Sequence, residues 1–128
     1  MSEDEAGRLA GKCALVVDDE HLIAEDMAHL LRRMGAEICG PFPSLDEARA
    51  GYAAHDGPVD FAVLDIMLGK DNIWPFAKEL KADKVPIMLV SAVCDDTLRL
   101  PPELEGTDCI RKPASDNQIR RCAVQLCA

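Results

Sequence analysis

At 128 residues the chain is long enough for one domain with a single core and too short for two. Its 23 acidic and 14 basic side chains give a formal net charge of −9, which argues against nucleic acid or an anionic membrane as partner and favours a basic protein surface or a metal cation. Because the N-terminus lacks the features of a signal peptide and the longest apolar stretch, 86–94, is too short to cross a bilayer, we expect a cytoplasmic protein.

The first third of the chain predicts an arm followed by a strand and a helix. Residues 1–11 are polar and small, and we expect a flexible N-terminal arm before one domain over 12–128. The apolar run 13–17 predicts a buried strand that ends at Asp18-Asp19-Glu20. Apolar residues then recur at helical spacing before Gly35, which can act as a C-cap; they are Leu22, Ile23, Met27, Leu30, Leu31 and Met34.

Two more strands and a helix follow in the middle of the chain. Residues 36–41 predict a short strand, after which Ser44 and Glu47 predict a capping box for the next helix. The run 61–64 of Phe, Ala, Val and Leu is typical of a strand covered on both faces, as in a parallel sheet, and it ends on Asp65.

The last part of the chain is less regular. Asn72 can cap a helix with Pro75 in its first turn, and the apolar strand 86–90 ends on Ser91. Residues 95–97 could begin a fourth helix, but Pro101-Pro102 predicts that it is short or distorted. A brief strand over 107–111 then ends at Lys112, and Ser115 can cap the last helix.

This alternation of strands and helices predicts an α/β fold with a doubly wound, five-stranded parallel sheet. If the strand order is the flavodoxin-like 2-1-3-4-5, the first and third strands are neighbours, and ligands bind at the carboxyl edge between them. Asp18, Asp19 and Asp65 would then converge at that edge. Ser91 and Lys112 end the fourth and fifth strands.

Such a carboxylate cluster predicts a phosphoryl-transfer site. Like charges a few Å apart repel, so the cluster needs a cation, and Mg²⁺ suits one or two carboxylates together with a carbonyl and water. Asp65 could act as a nucleophile toward phosphorus, and Ser91 and Lys112 could stabilise the phosphoryl oxygens. Each feature alone also fits a helix cap, a turn or a surface charge; their combination on the ends of different strands favours the functional interpretation.

Four motifs resemble the signature of the receiver domains of two-component response regulators: Val17-Asp18-Asp19-Glu20, Leu64-Asp65, Val90-Ser91-Ala92 and Lys112-Pro113. The resemblance implies that Asp65 accepts a phosphoryl group from a histidine kinase or histidine phosphotransfer protein. It also implies that Asp19, Asp65 and the Met67 carbonyl bind Mg²⁺ directly and Asp18 through water. Ser91 and Lys112 would contact the phosphoryl oxygens, and the Lys112-Pro113 bond would be cis.

A narrower likeness rests on Gly40-Pro41, the segment 44–48, Leu68-Gly69 and Trp74-Pro75, which are similar to single-domain receivers found alongside HWE-class sensor kinases. The chain also departs from the family pattern. The aromatic residue usual three positions before the lysine is Cys109 here, the tyrosine common after the fourth strand of that subgroup is Cys94, and the proline usual four positions after the acceptor is Gly69.

Three functional hypotheses follow. The first is a stand-alone receiver that signals by protein contact or phosphorelay and is not an enzyme beyond its own phosphorylation and dephosphorylation. The alternative is an interaction scaffold with little phosphorylation-driven switching, which the missing aromatic supports. A phosphatase of the haloacid-dehalogenase type fits less well, because such enzymes need Asp-x-Asp after the first strand and here Asp18 and Asp19 are adjacent.

The cysteines carry a separate expectation. Six are scattered along the chain without a CxxC pair, and several lie in apolar runs. Since a free thiol in such a run behaves as a small apolar side chain, we expect all six to be reduced: Cys13, Cys39, Cys94, Cys109, Cys122 and Cys127.

Overall fold

The computed structural model describes residues 7–94 and 98–127. In chain order, the regular elements are β1 (Cys13–Val17), α1 (His21–Arg33), β2 (Glu37–Phe42), α2 (Leu45–Ala54), β3 (Phe61–Leu64), β4 (Met67–Leu68), β5 (Asp71–Asn72), α3 (Trp74–Ala82), β6 (Ile87–Ser91), a 3₁₀ helix (Pro102–Leu104), β7 (Asp108–Arg111) and α4 (Asp116–Leu126).

The main sheet has five parallel strands in the spatial order β2-β1-β3-β6-β7. If only these five strands are numbered from 1 to 5 in chain order, their spatial order is 2-1-3-4-5. The predicted fold class and strand order are therefore confirmed. Because every strand of this sheet runs in the same direction, the residues that follow the strands meet at one edge, which places the site.

The sheet separates two apolar layers. Leu15 and Val17 of β1 belong to the layer that α2 and α3 cover, whereas Ala14 and Val16 belong to the layer under α1 and α4. Successive side chains of a strand point to opposite faces, so a strand covered on both faces must be apolar throughout. This explains why β1, β3 and β6 read as continuous apolar runs.

Helix starts agree with the sequence in part. The Ser44 hydroxyl accepts a hydrogen bond from the Glu47 N–H at 3.2 Å, but it also donates to the Glu47 carboxylate, so the reciprocal half of the predicted capping box is absent there. Ser115 and Gln118 form a complete capping box at α4. Asn72 accepts from the Trp74 N–H at 2.7 Å, while the helix itself begins one residue later than a cap at Asn72 would place it.

Three features differ from the sequence-based expectations. The two-stranded antiparallel hairpin of β4 and β5 was not predicted, because strands of two residues leave no periodicity to detect. Leu22, expected on the apolar stripe of α1, is 78% exposed. Leu9, expected in a flexible arm, is fully buried against α1 and its N–H donates to the Met34 carbonyl at 2.9 Å, so this residue anchors the segment 7–11, whose other four residues are exposed.

The region of the expected fourth helix contains only the short 3₁₀ helix at Pro102–Leu104 in its described part. Pro101 therefore caps a helical turn that Pro102 begins, and the described residues 98–100 before it are not helical. Residues 95–97, where the helix was expected to begin, lie outside the described residues. Among the helices that the structure describes, none combines the length and apolar character needed to cross a membrane.

Candidate functional site

Acidic side chains converge where β1 and β3 end. Val17 and Leu64 are partners in the parallel ladder, and the Asp65 N–H donates to the Val17 carbonyl at 2.9 Å. Asp18 and Asp65, the next residues along each strand, are 1% and 6% exposed. Carboxylate oxygens of four residues lie within 4.8 Å of one another: Asp18, Asp19, Glu20 and Asp65.

Lys112 brings a cation to this cluster. Its Nζ lies 2.7 Å from Glu20 Oε1, 2.8 Å from Asp18 Oδ2 and 3.1 Å from Asp65 Oδ2. The lysine follows β7, where its N–H donates to the Ser91 carbonyl at 2.9 Å, and the Lys112–Pro113 bond is cis, as the resemblance implied. One ammonium group therefore contacts three carboxylates at the carboxyl edge of the sheet.

Burial and neighbouring charges shift the pKa values of Asp65 and Lys112. Burial and the Asp18 charge raise the pKa of Asp65 to about 6, although the Lys112 ammonium and the Met67 N–H act in the opposite direction. Burial would lower the pKa of Lys112, but the carboxylates of Asp18, Glu20 and Asp65 raise it above its ordinary value. At neutral pH Asp65 is thus largely ionised and Lys112 is charged.

The β4–β5 hairpin borders Asp65. The Met67 N–H donates to Asp65 Oδ1 at 3.4 Å, and Met67 pairs with Asn72 in the hairpin. The Met67 side chain is 52% exposed, so this residue faces the site through its backbone. The hairpin therefore holds the backbone of Met67, the residue expected to supply a carbonyl ligand, beside the Asp65 carboxylate.

Asp19 is held by a residue that departs from the family pattern. The Gly69 N–H donates to Asp19 Oδ2 at 3.0 Å, which links the end of β1 to the hairpin loop. A proline at this position would have no N–H to donate. Gly69 has φ +62°, a backbone conformation that glycine adopts at little cost.

Ser91 is buried at the end of β6. Its hydroxyl oxygen accepts a hydrogen bond from the Val93 N–H at 3.3 Å, and its carbonyl is the acceptor for Lys112. The serine is thus tied to its own turn on one side and to the end of β7 on the other.

The donor set fits a small divalent cation. Carboxylates and a backbone carbonyl are hard oxygen ligands, which Mg²⁺ prefers. Asp18 Oδ2 is buried and, among the residues that the structure describes, meets only the Lys112 ammonium. Asp18, Asp19, Asp65 and the Met67 carbonyl could hold the ion.

Sequence reasoning missed one member of the cluster. Glu20 was placed in the acidic turn after β1 but was not assigned a role, and it makes the shortest contact to Lys112. The sequence could have indicated this role, because Glu20 directly follows Asp18 and Asp19 at the end of β1 and so lies near the same edge of the sheet.

The cysteine prediction was wrong for two residues. Cys94 and Cys109 form a disulfide with a Cα–Cα distance of 5.6 Å. Within the described chain, Cys13, Cys39, Cys122 and Cys127 are free thiols, and the first three are buried as expected. The disulfide joins the loop after β6 to the middle of β7, and this pairing depends on a loop conformation that residue spacing does not specify.

Comparisons of the sequence and of the structure with known proteins agree on one family. The family model described as the response regulator receiver domain matches residues 14–123. The sensory transduction protein LytT of Bacillus subtilis is 31% identical over 112 residues, which cover 84% of this chain and 44% of that protein. The chain thus spans less than half the length of this curated relative.

Solved structures show the same fold. A response regulator receiver protein from Burkholderia phymatum has a TM-score of 0.77 at 24% identity, covering 91% of this chain and 94% of that one. A response regulator from Burkholderia pseudomallei, described with a phosphorylated aspartic acid, a calcium ion and citrate, has a TM-score of 0.72 at 23% identity, covering 84% of this chain and 64% of that one.

Proposed function

The chain belongs to the family of response regulator receiver domains, and on that premise we propose that it accepts a phosphoryl group on Asp65 in a reaction that requires Mg²⁺. The observation that carries the proposal is the contact of Lys112 with both Asp65 and Asp18 inside the carboxylate cluster. The Burkholderia pseudomallei protein, with its phosphorylated aspartic acid and calcium ion, gives a precedent for this chemistry on the same fold.

In the proposed step an Asp65 carboxylate oxygen attacks the phosphorus of a phosphohistidine. A P–O bond forms while the P–N bond to the imidazole breaks, and the imidazole leaves with the electron pair. Asp65 can act as the nucleophile because a pKa of about 6 leaves it largely ionised at neutral pH. The Lys112 ammonium, now 3.1 Å from Asp65, is placed to pair with a phosphoryl oxygen.

A bound Mg²⁺ would supply Lewis-acid neutralisation of the phosphoryl oxygens. Asp18, Asp19, Asp65 and the Met67 carbonyl would hold it. Among the residues that the structure describes, the Ser91 oxygen accepts from the Val93 N–H and its hydroxyl donates to no group, so the hydroxyl is available as a hydrogen-bond donor. Its expected role is to donate to a phosphoryl oxygen on Asp65.

Incubation with acetyl phosphate and Mg²⁺, followed by intact-mass and peptide mass spectrometry, tests the proposal. One phosphoryl group on Asp65 is expected, with none in Asp65→Asn and none when the metal is chelated. The exposed Asp71 of the hairpin provides a matched control, since Asp71→Asn removes the same charge four residues past Met67 and should be phosphorylated normally. Labelling that persists in Asp65→Asn would contradict the assignment.

The phosphodonor is proposed to be a histidine kinase or a histidine phosphotransfer protein that docks beside the site. Leu22, in the first turn of α1, exposes 78% of its surface next to the acidic edge. An adjoining groove between α1 and α4 is lined by Ile23, Ile119 and Pro113, the last of which directly follows Lys112. An exposed apolar residue continuous with the site is the kind of surface that a protein donor needs.

A comparison of the protein donor with acetyl phosphate distinguishes an effect on docking from an effect on phosphoryl transfer. Leu22→Asp should slow transfer from the protein donor at least tenfold, because a charge replaces an apolar contact at the interface centre. Transfer from acetyl phosphate, which needs no docking surface, should be unchanged. Equal slowing with both donors would show that the substitution damages the site itself.

A second candidate function is an interaction scaffold with little switching. It is favoured by the disulfide between Cys94 and Cys109, which occupies both positions where the family pattern expects aromatic residues. Trp74, at the start of the helix after the hairpin, offers a discriminating readout. Its fluorescence should respond to Mg²⁺ with beryllium fluoride if the site works as proposed, and unchanged emission would favour the scaffold. Under either function we expect no multiple turnover of a phosphomonoester.

A further inference from the structure

The two departures from the family's aromatic pattern are one structural feature. Cys94 stands where the single-domain subgroup has a tyrosine, and Cys109 stands where receivers have an aromatic residue three positions before the lysine. The two cysteines are joined to each other, 15 residues apart in sequence and with Cα atoms 5.6 Å apart. This separation lies within the range that disulfides need, so no backbone movement is required to form the bond.

The disulfide connects the two segments that carry Ser91 and Lys112. Cys94 lies three residues beyond Ser91, and Cys109 lies three residues before Lys112 and pairs with Leu89 across the ladder of β6 and β7. Residues 92–94, directly after β6, therefore fold back toward the neighbouring strand β7. With the bond in place, the turn that holds the Ser91 hydroxyl against the Val93 N–H is tethered to β7.

Both sulfur-bearing residues are accessible from one side. Cys94 and Cys109 are half-buried and line an open surface groove that Arg111 and Arg121 also border. Asp108 also lines this groove, but the two guanidinium groups outweigh its single negative charge and favour small reagents that carry carboxylates. Cys122 lies in the same region but is buried, and burial followed by a neighbouring aspartate raises its pKa to about 12, so it competes poorly for disulfide exchange.

We propose that Cys94 and Cys109 form a reversible redox site, oxidised by a low-molecular-weight disulfide bearing carboxylates and reduced by the corresponding thiol. One cysteine thiolate attacks the small disulfide and expels one small thiolate, and the second cysteine attacks the resulting mixed disulfide and expels the other. In sum, two protein thiols become one disulfide while one small disulfide becomes two small thiols.

The consequence for signalling rests on the proposed phosphorylation of Asp65. The tether holds the Ser91 turn in the arrangement that the structure shows, and so would oppose a shift of that turn that brings the Ser91 hydroxyl to a phosphoryl group on Asp65. A ligand that prefers the shifted arrangement must then bind the reduced form more tightly. By linkage, that ligand favours reduction of the disulfide by the same factor.

Full-length protein equilibrated in glutathione buffers of stated ratio tests the proposal. Acid quenching, alkylation and mass spectrometry would give the oxidised fraction, and calorimetry with Mg²⁺ and beryllium fluoride would give the affinity of each form for a phosphoryl mimic. We expect a disulfide between Cys94 and Cys109 in glutathione disulfide, and binding about fivefold tighter or more in the reduced form. Beryllium fluoride should shift the thiol–disulfide equilibrium toward the dithiol by the same factor.

Variants separate this bond from other thiols. Cys94→Ser should bind the mimic like reduced wild type in both buffers, whereas Cys127→Ser, which removes a cysteine outside the pair, should respond like wild type. If Cys94→Ser does not fold, the comparison of oxidised with reduced wild type carries the test.

The outcomes are distinguishable. Absence of the Cys94–Cys109 bond in glutathione disulfide, or equal affinity of both forms, would overturn the proposal and leave the phosphorylation of Asp65 untouched. No binding of the mimic and no labelling by acetyl phosphate in either form would overturn the proposed function together with the signalling consequence. The mass measurement would still decide whether the redox site exists.

Discussion

Replacing Asp65 with asparagine should stabilise the metal-free protein. The carboxylate is 6% exposed and lies beside Asp18, so its charge is unfavourable in the fold even though Lys112 is near. Burial and Asp18 raise its pKa from 3.8 to about 6. At about 1.4 kcal/mol for each tenfold change, this corresponds to about 3 kcal/mol of stability that ionisation removes.

The sign of the effect follows from proton uptake. Between about pH 4 and pH 6 the folded protein keeps the Asp65 proton that the unfolded chain has lost, so the folded state binds more protons. The folded state is therefore favoured most below pH 3.8, where Asp65 is protonated. This advantage is lost as the pH rises through 6 and Asp65 ionises in the fold. Asparagine resembles the protonated carboxyl in shape and charge, and it does not titrate.

Urea denaturation followed by circular dichroism, in chelator, provides the measurement. At pH 7.5 we expect Asp65→Asn to have the larger unfolding free energy, by up to about 3 kcal/mol, with the difference shrinking as the pH falls from 6 toward 4. Asp71→Asn, an exposed charge on the hairpin, should change stability by less than about 0.5 kcal/mol. The reasoning is refuted if Asp65→Asn gains nothing at pH 7.5, or gains no more than the control.

Three further results are expected from the same denaturation assay. Lys112→Met should destabilise the metal-free protein by about 3 to 5 kcal/mol, since it leaves the buried carboxylates of Asp18 and Asp65 without their cation. Added Mg²⁺ should recover part of the lost stability. An unchanged unfolding free energy would contradict the pairing of Lys112 with these carboxylates. Reducing the Cys94–Cys109 bond should lower the unfolding free energy by about 3 kcal/mol, the value for a loop of about 15 residues, whereas the same reductant should leave the stability of Cys94→Ser unchanged. Leu9→Ala should cost about 2 to 5 kcal/mol, whereas an unchanged midpoint would mean that the N-terminal segment does not pack in solution.

The strand order and the convergence of charges could be predicted because they follow from local rules. Each buried strand is a continuous apolar run, each ends on a polar residue, and parallel strands place those residues at one edge. That was enough to predict that Asp18 and Asp65 lie together and that Lys112 ends the last strand. The sequence does not determine how far the Lys112 ammonium lies from each carboxylate; the structure places it in contact with three of them.

What could not be predicted depends on tertiary contacts. Leu9 is a lone apolar residue in a polar segment, so no periodicity marks its burial. Leu22 fits the helical spacing of α1 but lies in its first turn, where the helix extends past the edge of the core. The bond between Cys94 and Cys109 depends on the path of a loop between them, which residue spacing leaves undetermined.

The position of Lys112 has a consequence for how the domain responds to metal. Its ammonium serves as the internal counter-ion of Asp18, Glu20 and Asp65, so we expect the chain to fold without added magnesium. Binding of the proposed Mg²⁺ would then exchange one cation for another at these carboxylates, and its net affinity would be the difference between the two interactions. The displaced ammonium would be free to pair with the next anion that enters, so metal uptake would prepare the site for its second ligand.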